Sequence, residues 1–363
     1  YDGAGIVCRR LPVPPSKGIA FDGGTGNLRH TIIRYAGRAC YGCSTYDGAG
    51  ILARGVLTGE VRIEASQVMS ITGSTSMTTQ GLRVESSRVV VSDTRFSGIG
   101  DNAAQLDYPI YVSGPTSDVN FSGLRLEGNQ YNRVMLDLGA LTGHDFTLTA
   151  QPALEGYEFY NGTAGTDFIV PPGVTMTVEP GVKVMNNFDI NQTLVIQGHL
   201  EAVGTEAQPI IFTSHADSAP YQWQGLAFDG GTGNLRYAIV RYAGRGSVGI
   251  SGGAGIAATG VQTGTVRIEN SQIRDISGGS TTANYGIFAV DSQLVVSETL
   301  ITGISDAVGA SPAALAASGS SEVLLTSSAI ENNVRNGLLI EGAARVQITD
   351  TSILGNGGHG VLV

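Results

Sequence analysis

The chain of 363 residues carries one long block of sequence twice. Residues 18–37 read GIAFDGGTGNLRHTIIRYAG and residues 225–244 read GLAFDGGTGNLRYAIVRYAG, with 16 of 20 positions identical. The similarity extends over residues 18–139 and 225–342, and residues 140–224 join the two copies. A duplication of this length within one chain is typical of repeat proteins, in which successive units stack on one another.

A shorter period runs inside each copy. In the second copy the segments VRIENSQI, LVVSETLI, VLLTSSAI and VQITDTSI follow one another. They place Ile268, Val296, Leu325 and Ile348 at equivalent positions, 28, 29 and 23 residues apart. Apolar and polar residues alternate as in β-strands, turn residues separate the segments, and a helical period is missing almost everywhere. The pattern predicts an all-β solenoid whose equivalent strands stack about 4.8 Å apart.

Composition limits the class of protein and its partners. Glycine supplies 52 residues, charged residues make up 14% of the chain, and Lys17 and Lys183 are the only lysines. Such a chain suits turns and pleated strands better than charged helix surfaces. The net charge of −10 predicts that nucleic acid is not a partner, because phosphate binding needs a positive face. No run of 18 apolar residues occurs, so we expect no membrane insertion in this segment.

Residues 173–228, which begin GVTMTVEPGVKVMNN, resemble the repeat of bacterial right-handed parallel β-helix surface proteins. The segments SSAIENNVRNGLLIEG and TSILGNGGHGVLV resemble the β-helix repeat that is shared with pectin-lyase-like folds. The resemblance covers nearly the whole chain. It implies one continuous right-handed parallel β-helix over residues 1–363, with roughly a dozen coils of about 20–30 residues. It implies little about function, because lyases, hydrolases, adhesins and structural proteins share this fold.

Stacked coils predict where particular side chains lie. Ile63 and Val91 of the first copy join the four aliphatic positions of the second copy in ladders that point into a narrow core. The tight corners between strands need small residues. Three serines suit such corners, namely Ser66, Ser271 and Ser328.

The DGGTGN segment is the strongest candidate for a site. Its aspartates, Asp22 and Asp229, are weak candidates for binding a structural calcium ion. Arg34 and Arg241 follow nearby, and a lyase could use such an arginine as a base. A solenoid, however, needs the same corner each time it repeats a coil, so we interpret both segments as a glycine-rich turn. No catalytic residue and no cofactor is predicted.

Two further residues have simple structural interpretations. The Gly-His-Gly triplet around His359 resembles an active-site strand of polygalacturonases. The Asn-Thr-Asp, Asp-Asp and Arg-Ile-Lys segments that those enzymes need are missing, and glycoside hydrolysis depends on paired carboxylates. We therefore expect His359 to be a turn residue. Trp223, the only tryptophan, is expected to anchor the core or a corner rather than to bind a sugar.

Three cysteines lie within the first 43 residues, at Cys8, Cys40 and Cys43. They are too few for a four-ligand zinc site. If the protein is extracellular, we expect one disulfide that joins Cys8 to Cys40 or to Cys43. The second copy shortens the loop that holds the last two cysteines and fills it without cysteine, which argues against an essential role.

The ends of the chain show neither a helix nor a charged cap. Residues 1–6 repeat the interior sequence of residues 46–51, and the last residues, GVLV, are still in strand pattern. Open strand edges pair readily with another chain, so we expect self-association through open solenoid ends. The expected function is that of a non-enzymatic structural protein, extracellular or at the cell surface, which stacks end to end into a fibre or belongs to a giant repeat protein.

Two alternatives stay open. The first is an adhesin that binds surface polysaccharide or protein through loops such as 38–48 and 101–109, since loops on a rigid scaffold often carry binding. The second is a polysaccharide lyase or hydrolase.

Overall fold

The structure is a computed structural model that describes residues 18–36, 48–72, 79–100, 107–141, 143–160, 167–186, 192–245, 253–278, 284–305 and 313–363. These residues contain no helix, and so none that is long and apolar enough to cross a membrane. They separate into two compact units. The first unit is Tyr1–Leu138 with Thr149–Tyr160, and the second is Gly139–Leu148 with Asn161–Val363. One continuous solenoid over residues 1–363 stays a prediction.

Short strands alternate with tight turns throughout both units. The strands in the described residues are β1 (Ile19–Asp22), β2 (Gly26–Arg29), β3 (Ile32–Arg34), β4 (Ala49–Arg54), β5 (Val61–Glu64), β6 (Gln67–Met69), β7 (Gln80–Glu85), β8 (Arg88–Ser92), β9 (Arg95–Ser97), β10 (Tyr108–Ser113), β11 (Asp118–Ser122), β12 (Arg125–Glu127), β13 (Arg133–Asp137), β14 (Phe146–Leu148), β15 (Gly156–Phe159), β16 (Phe168–Val170), β17 (Thr175–Val178), β18 (Lys183–Asn186), β19 (Leu194–Ile196), β20 (His199–Val203), β21 (Ile210–Ser214), β22 (Leu226–Asp229), β23 (Thr232–Arg236), β24 (Ala238–Arg241), β25 (Ala254–Thr259), β26 (Val266–Glu269), β27 (Gln272–Arg274), β28 (Tyr285–Val290), β29 (Gln293–Ser297), β30 (Leu300–Thr302), β31 (Ala313–Ser318), β32 (Glu322–Thr326), β33 (Ala329–Glu331), β34 (Asn336–Ile340), β35 (Arg345–Thr349), β36 (Ser352–Leu354) and β37 (Val361–Leu362).

Each unit contains three parallel sheets, and a coil supplies strands to them in turn. In the first unit the first sheet has the order β1-β4-β7-β10-β13-β15, the second β2-β5-β8-β11 and the third β3-β6-β9-β12. In the second unit the orders are β16-β19-β22-β25-β28-β31-β34-β37, β14-β17-β20-β23-β26-β29-β32-β35 and β18-β21-β24-β27-β30-β33-β36.

Paired residues lie between 23 and 35 positions apart, as in Arg133–Gly156 and Gly26–Val61. The predicted all-β architecture, a parallel β-helix, is confirmed, and its coils cover a wider range of lengths than the expected 20–30 residues.

The predicted aliphatic ladders run along the inside of the coils. Ile63 pairs with Val91 in the first unit, and both side chains are fully buried. The register of the second unit joins the four equivalent positions in the predicted order, Ile268, Val296, Leu325 and Ile348. Of these four, only Ile348, in the coil of β35–β37, is substantially exposed, at 39%. Stacking of equivalent residues therefore builds the core one aliphatic layer at a time.

Left-handed backbone turns the chain at many of the corners. Non-glycine residues adopt positive φ rarely, because the Cβ atom approaches the following carbonyl oxygen. The corner between the second and third strands of a coil holds one such residue in both units. They are His30, Ala65 and Asp93 in the first unit, where Gly123 takes the same place in a further coil, and Tyr237, Asn270, Glu298, Ser327 and Asp350 in the second. A single residue in this conformation changes the direction of the chain, so the two strands can be joined by a very short turn.

A hydroxyl side chain follows most of these turns and joins neighbouring coils. The backbone N–H of Thr31 donates to Ser66 Oγ at 3.0 Å, and that of Ser66 donates to Thr94 Oγ1 at 3.4 Å. The second unit repeats the arrangement, with N–H groups donating from Ala238 to Ser271, from Ser271 to Thr299 and from Thr299 to Ser328 at 3.0–3.3 Å. The three predicted corner serines lie in this ladder and satisfy buried N–H groups that the sheets leave unpaired.

Removing one hydroxyl from the ladder should lower stability. Thr299→Val keeps the side-chain shape but leaves the buried N–H of Ser271 without its acceptor, so we expect a loss of about 1–2 kcal/mol in the free energy of unfolding. Urea unfolding measures the change. Thr302→Val, on the outer face of β30, is the matched control and should change stability by less than about 0.5 kcal/mol. Equal losses in the two variants would contradict the role of the ladder.

Candidate functional site

Asp22 and Asp229 lie at the same corner of their respective units but contact different coils. Asp22 ends β1 and accepts hydrogen bonds from Arg54 of the following coil, with Nη2–Oδ2 and Nε–Oδ1 distances of 3.1 and 3.4 Å. The guanidinium of Arg54 lowers the pKa of Asp22. Asp229 ends β22, and its Oδ2 accepts from Gln197 Nε2 of the preceding coil at 2.9 Å. Both aspartates therefore join coils.

The glycines of DGGTGN have distinct structural roles. Gly23 and Gly230 follow the aspartates and adopt φ of 70°, which turns the chain out of the strand. Gly233 leaves room for the buried ring of Phe228, because a Cβ atom there would lie 2.6 Å from the ring. Gly26 does the same for the ring of Phe21. Turn geometry and packing are thus sufficient to explain the segment.

Metal binding at these aspartates stays a prediction. Among the described residues, no group of three or more His, Cys, Asp or Glu side chains could hold a metal ion. Arg241, which follows Asp229 in the sequence as a candidate lyase base, directs its guanidinium to Asp217. Cys8, Cys40 and Cys43 lie outside the described residues.

The other two predicted positions lie in structural settings. Trp223 is buried, and its indole N–H donates to the carbonyl of Arg241 at 2.8 Å, so it anchors a corner of the second unit. His359 lies in the exposed turn before β37, where its backbone N–H donates to Asn336 Oδ1 at 2.9 Å.

The first unit carries a row of polar side chains on the outer face of its first sheet, which we name the polar belt. It consists of Asp22, Arg54, Glu85, Arg83, Tyr111 and Asp137. Arg54 lies between Asp22 and Glu85, at 3.1 and 4.0 Å. Arg83 donates to Glu85 at 2.6 Å, and its guanidinium carbon lies 5.3 Å from the centre of the Tyr111 ring. The Tyr111 hydroxyl donates to Asp137. Burial and the Asp137 charge raise the pKa of Tyr111.

A second group of ionisable side chains adjoins the belt in the following coils. Arg133 Nη1 lies 3.1 Å from Oε2 of Glu158, which is completely buried, and Arg133 Nε lies 3.2 Å from Glu155. The guanidinium also lies 5.0 Å from the ring centre of Tyr131, which stacks on Tyr108 at 5.5 Å. Burial and the charge of Glu158 raise the pKa of Tyr108. In this cluster one guanidinium serves two carboxylates, of which the buried one, Glu158, depends on it for its counter-ion.

The second copy keeps the aspartate of the belt, as Asp229, but has an uncharged and mostly apolar outer face at the positions that follow. In strand order, Arg54, Glu85, Arg83 and Tyr111 correspond to Thr259, Val290, Phe288 and Ala316. Phe288 stacks on Tyr285 at 4.7 Å and has Ala257 and Ala316 as its register partners in the coils on either side. Inner positions keep their character, as in Ile51 and Ile256. The two copies thus share a core and differ on this outer face.

The sequence did not reveal the polar belt. Its members are dispersed among ordinary alternating segments, and no two belt residues from different coils are close in the chain. A comparison of the two copies could have indicated the belt. Where a charged residue of one copy is apolar in the other, within an otherwise similar block, the two positions differ in function.

A charged clamp joins three coils on the outside of the second unit. Asp217 accepts from Lys183 Nζ at 3.0 Å, from Arg241 Nε and Nη2 at 2.8 and 2.6 Å, and from Thr213 Oγ1 at 2.6 Å. Burial raises the pKa of Asp217, but the hydrogen bonds from Arg241, Thr213 and Lys183 outweigh it, so the net pKa is below the ordinary value of 3.8. Lys183 belongs to the preceding coil and Arg241 to the following one, so the clamp fixes the segment after β21.

Replacing Asp217 with a neutral residue should lower the free energy of unfolding only at pH values at which Asp217 is ionised. A carboxyl group whose pKa is lower in the folded state stabilises the fold above its unfolded pKa, and this contribution is lost as the pH falls through the folded pKa. Asp217→Asn should therefore lower the free energy of unfolding by about 1–2 kcal/mol at pH 7, and the difference from the parent should shrink below pH 3.8. Unfolding at a series of pH values measures this. Asp93→Asn, at an exposed corner, is the control. A deficit for Asp217→Asn that does not change with pH would contradict the role of its charge.

The comparisons with known proteins identify the fold. The family model described as the right handed beta helix region matches residues 225–363. The searches of curated proteins and of solved structures found no match. Residues 225–363 are therefore similar to right-handed parallel β-helix regions, in agreement with their stacked parallel strands, and the described part of the first unit repeats the same coil architecture.

Proposed function

We propose that the chain is a non-enzymatic structural β-solenoid of an extracellular or cell-surface assembly. One observation carries the proposal, namely that polar residues retained in both copies join neighbouring coils. The pairs are Ser66 and Ser271, Ser87 and Ser292, Thr94 and Thr299, and Asn129 and Asn333. Every member accepts a backbone N–H from the preceding coil. A stacked scaffold needs these bonds in each coil, so a structural task explains why they recur.

The coil of β35–β37 supports the further proposal that coils of another segment stack on it. Its inward aliphatic side chains are unusually exposed, with Ile348 at 39% and Val361 at 44%. Aliphatic groups in the equivalent inner positions of earlier coils are buried, and open parallel strands readily accept another strand. We propose that a further coil covers this face, from a second copy in a fibre or from a longer repeat protein.

Electron microscopy of the purified chain tests self-association. We expect rods or filaments whose number increases with protein concentration, and we expect Ile348→Lys to reduce them, because a charge would be buried at the contact. Leu57→Lys introduces the same charge at an exposed leucine of the first unit, 62% exposed, and should leave assembly unchanged. Short monodisperse particles at high concentration would count against stacking of copies.

The polar belt favours a second candidate function, that of an adhesin. Copies with the same core but different outer faces are consistent with binding on one of those faces, and arginine and tyrosine are common in binding surfaces. The partner we propose is a surface polysaccharide. Most of the loops 38–48 and 101–109, which the sequence suggested for this role, lies outside the described residues.

A glycan array distinguishes these candidates. Replacing Arg83 and Tyr111 with the residues of the second copy, as Arg83→Phe with Tyr111→Ala, should abolish glycan binding by an adhesin without unfolding the coil. The reciprocal change, Phe288→Arg with Ala316→Tyr, controls for the effect of altering an outer face. If the parent binds no glycan, the adhesin proposal is wrong for that panel. Turnover of any acidic or neutral glycan that depends on one Asp or Arg would overturn the non-enzymatic proposal.

A further inference from the structure

A groove of about 380 Å³ crosses successive coils of the second unit, and we name it the Tyr237 groove. It lies along the corner between the second and third sheets. The groove spans four consecutive coils. Glu206 lines it in the first of these coils and Glu298 in the fourth, and Tyr237, Ile239 and Pro209 contribute apolar surface. None of the lining residues is a lysine or an arginine. The groove therefore combines two carboxylates with an aromatic and aliphatic surface.

The register of the strands sets the separation of the carboxylates. Glu206 precedes β21, Tyr237 precedes β24, Asn270 precedes β27 and Glu298 precedes β30. These strands are consecutive neighbours in one parallel sheet. Three steps of about 4.8 Å separate the first coil from the fourth, so the backbones that carry the two glutamates lie about 14 Å apart along the stacking direction. A long and narrow ligand would be needed to contact both.

Tyr237 has a backbone conformation that its side chain does not favour. Its φ is 47°, a left-handed conformation that is unusual for a bulky residue, whereas Asn270 at the next corner is a residue that tolerates it. The same corner is left-handed at Asn270 and Glu298, so the conformation belongs to the turn, which leaves the tyrosine side chain in the lining of the groove. The guanidinium of the exposed Arg236 lies 5.4 Å from the centre of the tyrosine ring, so the ring already takes part in one cation–π contact.

We propose that the Tyr237 groove binds a linear polyamine, with one ammonium group at Glu206, another at Glu298 and the polymethylene chain on Tyr237 and Ile239. Carboxylates attract ammonium groups, and the tyrosine ring adds an apolar and quadrupolar contact. A polymethylene chain has no backbone amides that need partners, and the strands beneath it use their own amides in the parallel ladder. The net charge of the chain, −10, adds a favourable long-range field.

Isothermal titration of the whole chain with spermine at low ionic strength tests this proposal. Spermine is long enough to reach both glutamates, whereas the short diamine putrescine reaches one. We expect spermine to bind about fivefold more tightly, because exposed ion pairs contribute up to about 1 kcal/mol each. Glu206→Gln and Glu298→Gln should each remove that advantage. Glu322→Gln, which makes the same charge change at an exposed position of β32, should keep it.

Tyr237→Asn separates binding from folding. Asparagine tolerates the left-handed conformation, so the variant should unfold at the same temperature or higher than the parent. It should nevertheless bind spermine about fivefold more weakly, because the ring contact is lost. The proposal is wrong if putrescine binds as tightly as spermine. It is also wrong if Glu322→Gln weakens binding as much as the groove variants do, since that result would show attraction to net charge only.

Discussion

Arg133→Met should lower the free energy of unfolding by about 3–5 kcal/mol, the largest effect that we expect from a single substitution in this protein. The carboxylate of Glu158 is completely buried, and Arg133, itself only 13% exposed, lies 3.1 Å from it. Methionine retains much of the volume of arginine but leaves the negative charge without its counter-ion in a poorly solvated position. Urea unfolding, followed by a probe of the first unit, measures the loss.

Two further variants attribute this loss to the buried charge. Arg133→Met combined with Glu158→Leu removes both charges and should recover at least half of the lost stability, because an apolar pair needs no solvation. Arg95→Met breaks the pair with Glu127, in which both side chains are about half exposed, and should cost less than about 1 kcal/mol. If the double variant were as unstable as Arg133→Met, lost packing rather than the unpaired carboxylate would be responsible.

Gly233→Ala should lower the free energy of unfolding by about 2–3 kcal/mol, although it adds only one methyl group. The new Cβ would lie 2.6 Å from the ring of Phe228 and 3.1 Å from the carbonyl oxygen of Leu200 in the preceding coil. Phe228 is fully buried and cannot move aside, so the strain must be taken up by the stacked backbones. A change in the urea midpoint, read by a probe of the second unit, tests this expectation.

The first copy supplies the matched control for Gly233→Ala. Gly26 is the equivalent glycine, and a Cβ there would meet the ring of Phe21. Phe21 is only half-buried, so its ring can rotate outwards, and Gly26→Ala should cost about 1 kcal/mol or less. Equal losses would show that the glycine is needed for backbone conformation in both copies and that packing against the phenylalanine has no part.

Some long-range contacts followed directly from the sequence. Ile268, Val296, Leu325 and Ile348 pair in the predicted order. Prediction succeeded because a solenoid converts a period along the chain into a translation in space, so one repeated motif identifies register partners in every coil. The corner serines followed for the same reason. Ser66 and Ser271 occupy the same place in the repeat, where a small hydroxyl residue accepts a buried N–H from the preceding coil.

The side-chain partners on the outer faces could not be predicted in this way. Asp229 precedes Arg241 by twelve residues, yet Arg241 binds Asp217, while Asp229 accepts a hydrogen bond from Gln197. Outward side chains are long and can reach the preceding coil, the following coil or the adjoining turn. Which of these they contact depends on coil lengths that vary from 23 to 35 residues. The pattern of alternation does not contain that information.

The sequence by itself determined the parallel β-helix, the aliphatic ladders and the small residues at the corners. These features repeat, and each copy of the period adds independent support for the same structure. Only the tertiary structure decided that Asp22 joins Arg54, that Glu158 is buried beside Arg133, and that two glutamates face a common groove beside Tyr237. These arrangements occur once each. They depend on which coils become neighbours and on how far each side chain reaches, and a local pattern records neither.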